Sequence, residues 1–142
     1  MFSKILIAVD GSDNNKLAVD QAVDICKAMG AKLTAVYVST GAEVKPNAFG
    51  GDVSAGERNS INNKMIDDAL AYVKAKSEGM GIAIETLVLH GNPSNEIVKI
   101  SKDYDLVVCG SLGLTGISKM LMGSVSSSIA KYADCPVLIA RN

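Results

Sequence analysis

Tyr104-Asp-Leu-Val-Val-Cys109, then Gly110-Ser-Leu-Gly113, nine further residues and Gly123-Ser124, is the stretch on which the fold turns. Its first six residues form an apolar run of strand length. Gly123-Ser124 stands at the head of a helical pattern that carries Leu121, Val125, Ile129 and Tyr132. A buried strand that feeds a glycine-rich turn and then a helix start suits a ligand bearing phosphate. Glycine lets the backbone approach an anion closely, and a helix N-terminus presents N–H groups that have no partner inside the helix.

Upstream, Ile5-Leu-Ile-Ala-Val9 is a continuous apolar run, the pattern of a strand buried on both faces. It ends at Asp10-Gly-Ser-Asp13, where Ser12 or Asp13 can cap a helix whose Leu17, Ala18, Ala22, Ile25, Cys26 and Met29 recur at helical spacing. Gly30 stops that helix, and Leu33–Val38 is the second strand. Residues 39–56 hold four glycines, Pro46 and no sustained period, a long connection that reads as a lid, a partner surface or disorder. A helical pattern resumes at Glu57, with Ile61, Met65, Ile66, Ala69, Leu70 and Val73 on one face, and closes near Gly79. Ile82–Leu89 is the third strand. Asn92-Pro93 opens the next helix, with Pro in its first turn. Pro136–Ala140 is the fifth strand.

This alternation predicts one α/β domain over residues 1–142: a doubly wound, five-stranded parallel sheet with helices on both faces. Right-handed crossovers favour the strand order 3-2-1-4-5, with 2-1-3-4-5 as the alternative. In the first order strands 1 and 4 are neighbours whose connections leave toward opposite faces. Ligands of such sheets sit in that crevice, beyond the carboxyl ends of the strands. Asp10 and Gly110 would then meet there.

With 14 Lys+Arg against 15 Asp+Glu, the charge balance implies no basic face for nucleic acid. No apolar run reaches membrane-spanning length, and no signal-peptide pattern precedes the first strand. Three dispersed cysteines (26, 109, 135) and a single histidine argue against a disulfide framework or a structural zinc site. Together these features predict a cytoplasmic protein with reduced thiols.

The pattern Gly110-x-x-Gly113-x9-Gly123-Ser124 is neither the phosphate loop G-x-x-x-x-G-K-[ST] nor the dinucleotide fingerprint G-x-G-x-x-G. Its bland reading is a turn at Gly110 and Gly113 with a tight helix–sheet contact at Gly123. The longer run Gly110-Ser-Leu-Gly-Leu-Thr-Gly-Ile-Ser-Lys-Met-Leu-Met-Gly-Ser-Val-Ser, continuing to Cys135-Pro-Val-Leu-Ile, resembles the C-terminal signature of the universal stress protein family. Ile5-Leu-Ile-Ala-Val-Asp-Gly-Ser12 matches that family's first strand and turn, and His90-Gly-Asn-Pro93 its segment after the third strand. The likeness spans nearly the whole chain outside residues 39–56. In that family G-x-x-G-x9-G-[ST] marks the ATP-binding branch, so the resemblance implies an ATP-binding member with the 3-2-1-4-5 sheet. It also implies a homodimer joined through the last strand, Pro136–Ala140, whose open apolar edge would be covered by its twin.

The same resemblance assigns roles. Gly110 and Gly113 would close backbone N–H groups around the ribose and phosphate. Gly123, Ser124 and Val125 would present N–H donors to the terminal phosphates, Ser124 adding its hydroxyl. Asp10 would contact the nucleoside and help place Mg²⁺ or Mn²⁺, and the Val38 backbone would meet the adenine edge. Asp10 as a plain turn or capping carboxylate is the rival reading. Position 112, often basic or polar in the family, is Leu112, which leaves Lys119 as the nearest cation in the motif. Lys119 itself reads as a solvated helix residue. His90 reads as structural or exposed, Ser126–Ser128 as locally bonded serines, Met120 and Met122 as gap fillers, and Cys109 as a small buried hydrophobe.

Three functions follow. The first is a regulatory module that binds ATP and at most hydrolyses it slowly, since the motif supplies no P-loop lysine, arginine finger or strong general base. The second is an adenylyl- or phosphoryl-transferring enzyme using the same crevice. The third is a dimeric interaction protein independent of nucleotide.

Overall fold

The computed structural model describes residues 1–41, 55–111 and 123–141. Its elements run β1 (Lys4–Ala8), α1 (Asn15–Met29), β2 (Lys32–Ser39), α2 (Ala55–Gly79), β3 (Ile84–His90), α3 (Pro93–Ser101), β4 (Leu106–Gly110), α4 (Ser124–Tyr132) and β5 (Val137–Ala140). All five strands are parallel, in the order β3-β2-β1-β4-β5. The expected topology is therefore the observed one, and the 2-1-3-4-5 alternative is excluded. Residues 42–54 of the expected long connection lie outside the described residues.

β1 is the centre of the sheet because its residues are apolar on both faces. Ile5, Leu6 and Ile7 are fully buried. Ile5 and Ile7 enter a core layer with Ala18, Val19, Ala22 and Val23 of α1 and Ala69, Leu70 and Val73 of α2. Leu6 enters the opposite layer with Ile97 of α3 and Ile129 of α4. The period-two alternation of a strand thus sends neighbouring residues to two separate helical layers.

The helix ends follow local chemistry. Asn92 caps α3, its side-chain oxygen accepting from the N–H of Asn95 at 3.1 Å, with Pro93 in the first turn where its missing N–H costs nothing. Gly30 closes α1 in the left-handed conformation, donating its N–H to the Cys26 carbonyl.

Three helical faces differ from the expected ones, the first at the end of α1, where Met29 is exposed. In α2, Ile61 and Met65 are exposed, while Ala69, Leu70 and Val73 are buried in the core and Ile66 packs against it. The reason is length. Twenty-five residues make a helix of roughly 37 Å, whereas an eight-residue strand spans about 26 Å, so the first turns of α2 outrun the sheet. In α4, Val125 and Tyr132 are exposed, and the inward face is Ser126 and Ile129. Leu121 lies outside the described residues.

Candidate functional site

The parallel register brings the carboxyl ends of β1, β2 and β4 to one edge. Ala8 pairs with Val36 and Ile7 with Val108. Carried forward, that register sets Asp10 level with Val38, and Gly110 level with Val9. Three of the sequence-predicted site residues therefore share the edge where β1 and β4 diverge. Val38 is the penultimate residue of β2, buried and paired with Leu89 of β3.

Asp10 is held by its own turn. One carboxylate oxygen, Oδ1, accepts from the Ser12 N–H at 2.8 Å and from the Ser12 hydroxyl at 2.7 Å. Gly11 between them has φ of +80°, a conformation that side chains with a Cβ rarely adopt. A Cβ at Gly11 would stand 3.1 Å from the Ala69 Cβ, so α2 presses on the turn from one side. The expected cap on α1 takes a composite form. Asn14 occupies the cap position with no side-chain capping bond to the helix, and the Ser12 hydroxyl accepts from the Asn15 N–H at 3.2 Å. Asp13 only pairs with Lys16 in solvent.

The two halves of the glycine motif are joined at a neck. The Ser111 carbonyl accepts from the Gly123 N–H at 2.7 Å and from the Ser126 hydroxyl at 3.2 Å. That hydroxyl also reaches the Gly123 carbonyl at 3.1 Å. Ser111 and Ser126 are both buried. The eleven residues between Ser111 and Gly123 thus leave and return at one point. Gly113, Leu112, Lys119, Met120 and Met122 lie outside the described residues.

The neck changes the donor inventory. Gly123 N–H is spent on Ser111 and is no longer a donor for a ligand. The first bond of α4 runs from the Ser127 N–H to the Gly123 carbonyl at 3.0 Å. Among the described residues this leaves the N–H groups of Ser124, Val125 and Ser126 as first-turn donors without a partner, with the positive end of the helix dipole behind them. Ser124 and Val125 are exposed there. Such an end accepts anions.

Among the described residues of the site, Asp10 is the candidate for a cation. Among the described residues no group of three His, Cys, Asp or Glu side chains converges. A single carboxylate suits a hard divalent ion whose remaining ligands are phosphate oxygens and water, and does not suit a structural metal. His90 ends β3 and is exposed. Burial pushes the Cys109 thiol up to about 11, which keeps it a neutral, inert hydrophobe beside the site. No described helix is long and apolar enough to cross a membrane.

Sequence reasoning overlooked Ser12, Asn15, Ser111 and Ser126 as parts of the site. Only Ser12 carried a local signal, because Asp-Gly-Ser is an Asx-turn sequence in which the aspartate bonds two residues on.

A family model described as the universal stress protein family matches residues 1–141. Universal stress protein YxiE of Bacillus subtilis is 35% identical over 148 residues, covering 99% of this chain and all of the relative. Among solved structures, hypothetical protein MJ0577 superposes with a TM-score of 0.77 at 26% identity, covering 100% of this chain and 97% of its own. A universal stress protein in complex with cAMP superposes with a TM-score of 0.73, also at 26% identity, over 99% and 97% of the two chains.

Proposed function

The chain belongs to the universal stress protein family, and from that premise we propose that it is a regulatory module whose ligand is ATP. The observation that carries this reading is the neck. It holds the N–H groups of Ser124 and Val125, which have no partner among the described residues, at the same edge of the sheet as Asp10. A carboxylate repels phosphate, so the two ends sort the ligand: nucleoside toward Asp10 and Val38, phosphates toward Gly110, Gly113 and the start of α4. Gly123 serves by closing the neck. Mg²⁺ or Mn²⁺ accompanies the triphosphate, held by phosphate oxygens and water, and Asp10, committed to the nucleoside, reaches it through a bridging water. The bound nucleotide is reported to a partner, and turnover is slow at most.

Calorimetry on protein stripped of ligand tests this. Saturable ATP binding that strengthens with Mg²⁺ or Mn²⁺ is expected, and Gly113→Val should abolish it while the circular dichroism spectrum is kept. No binding, or full affinity in Gly113→Val, would overturn the assignment.

The cAMP-bound relative favours a second occupant, a nucleoside monophosphate. Competition of AMP and cAMP against ATP ranks the two. Assembly is proposed as a homodimer through the open edge of β5, whose Val137, Leu138 and Ile139 are only partly buried. Sedimentation as a monomer at micromolar concentration would remove that part.

A further inference from the structure

The turn after β1 contains more order than a carboxylate needs merely to sit at a surface. Ser12 is buried and gives both its donors, N–H and O–H, to Asp10 Oδ1. Its hydroxyl oxygen simultaneously accepts from the Asn15 N–H. An ionised carboxylate only accepts, so the hydroxyl proton has one place to point. Asn15, 5% exposed, completes the ring: its amide nitrogen donates to the Ala8 carbonyl at 2.9 Å, and its oxygen accepts the Asp10 N–H at 3.4 Å. The Asp10 N–H and one of its two carboxylate oxygens are therefore fixed from inside the protein. The other oxygen, Oδ2, has no partner among the described residues.

We infer that Ser12, supported by Asn15, is a positioning residue that turns Asp10 Oδ2 into a fixed acceptor and so makes the site select nucleosides with an N–H or O–H donor at that point. The inference rests on the nucleotide reading above and deepens it. A freely rotating carboxylate would offer either oxygen to a ligand or to water and would discriminate weakly. With Oδ1 occupied and the rotor stopped, a ligand lacking the matching donor leaves Oδ2 unpaired and desolvated, and affinity falls. The donor is either a ribose hydroxyl or the exocyclic amine of adenine. The chemistry is shared, and ligand analogues separate the two.

Calorimetric titration of wild type, Ser12→Ala and Ser12→Thr with ATP, 2′-deoxy-ATP, 3′-deoxy-ATP and inosine triphosphate tests the inference. Wild type should bind at least one analogue about tenfold or more weakly than ATP, as loss of a hydrogen bond to a charged group implies. Ser12→Ala should lose roughly tenfold for ATP and little for that analogue, so the discrimination collapses. Ser12→Thr, which keeps the hydroxyl, should restore it. A uniform loss across all four ligands would mark Ser12 as structural only and overturn the inference, as would an unchanged discrimination ratio in Ser12→Ala. If Ser12→Ala does not fold, the wild-type series still decides, because equal affinity for all four ligands overturns the inference while leaving ATP binding intact. Wild type that binds none of them sinks the nucleotide reading and this inference together.

Discussion

Two aspartates at opposite ends of the sheet accept the same pair of donors from a serine. At the carboxyl end, Asp10 takes the N–H and hydroxyl of Ser12, two residues away. At the amino end, Asp105 takes the N–H of Ser3 at 2.9 Å and its hydroxyl at 3.0 Å, and adds the Lys4 N–H at 2.9 Å, across more than a hundred residues. The reverse bond, from the Asp105 N–H to the Lys4 carbonyl at 2.8 Å, completes a knot between the starts of β1 and β4. The Asp105 carboxyl is held below the usual carboxylate range by the Ser3 N–H first, then by the Lys4 N–H and the Ser3 hydroxyl. One arrangement ties distant chain segments together. The other spends the same chemistry on a local turn, which joins nothing that α1 and β1 do not already join. Identical hydrogen bonds thus differ in purpose according to the sequence distance they span and the end of the sheet on which they lie.

That contrast can be broken in four ways, taken from the largest effect to the smallest. Leu6→Ala empties a fully buried position between the two ends and should cost about 2–5 kcal/mol in urea unfolding. It belongs to neither end, so nucleotide affinity of the folded fraction should stay unchanged. A selective loss of binding would show that the ends are coupled through the core. Gly11→Ala forces a Cβ into the left-handed region, at about 1–2 kcal/mol, and presses it on Ala69. Here stability and nucleotide affinity should fall together, since the Asp10 turn is what deforms. Retained affinity would detach the turn from the site.

Asp105→Asn should lower the urea midpoint at neutral pH without touching nucleotide affinity. Because the folded carboxyl is depressed below its unfolded value of about 3.9, its contribution is complete above that value. It is lost as pH falls further through the folded pKa, and there the wild-type and Asp105→Asn midpoints should converge. A gap between the two midpoints that persists in acid would mean that shape, not charge, makes the knot. The Lys99–Glu96 pair at 3.1 Å on α3, with an exposed lysine and a half-buried glutamate, calibrates a carboxylate contact that neither ties nor positions. Lys99→Ala should change stability by no more than about 0.5 kcal/mol. A larger change would show that this pair does structural work on α3.

How legible these features were in the chain depends on how far apart their parts lie. The runs at residues 5–9 and 104–109 announced strands buried on both sides, and alternation with helical patterns was enough for a parallel sheet, while the order 3-2-1-4-5 was favoured over 2-1-3-4-5 without being settled. Asn92-Pro93 announced a helix start because cap and first turn are adjacent. Periodicity failed for Ile61 and Met65, since a helical stripe says nothing about where the sheet beneath it stops. It failed again at Val125 and Tyr132, where Ser126, a polar residue, takes the inward face to reach the loop neck. The neck itself joins residues 12 and 15 positions apart, and the Asp105 knot joins residues more than a hundred apart. No local pattern encodes either. Ser12 was within reach, because its bond to Asp10 spans two residues.

The central place of β1 has a consequence during synthesis. Its partner on one side, β2, follows it closely, but its partner on the other, β4, begins roughly 75 residues after β2 does. At about 5–20 residues per second, that interval is roughly 4–15 s on the ribosome. Throughout it the most buried strand of the finished protein is an edge strand, with Leu6 and Ile7 and a row of backbone N–H and C=O groups open to any passing partner. The innermost part of the sheet is thus the part that most needs shelter while the chain is still being made.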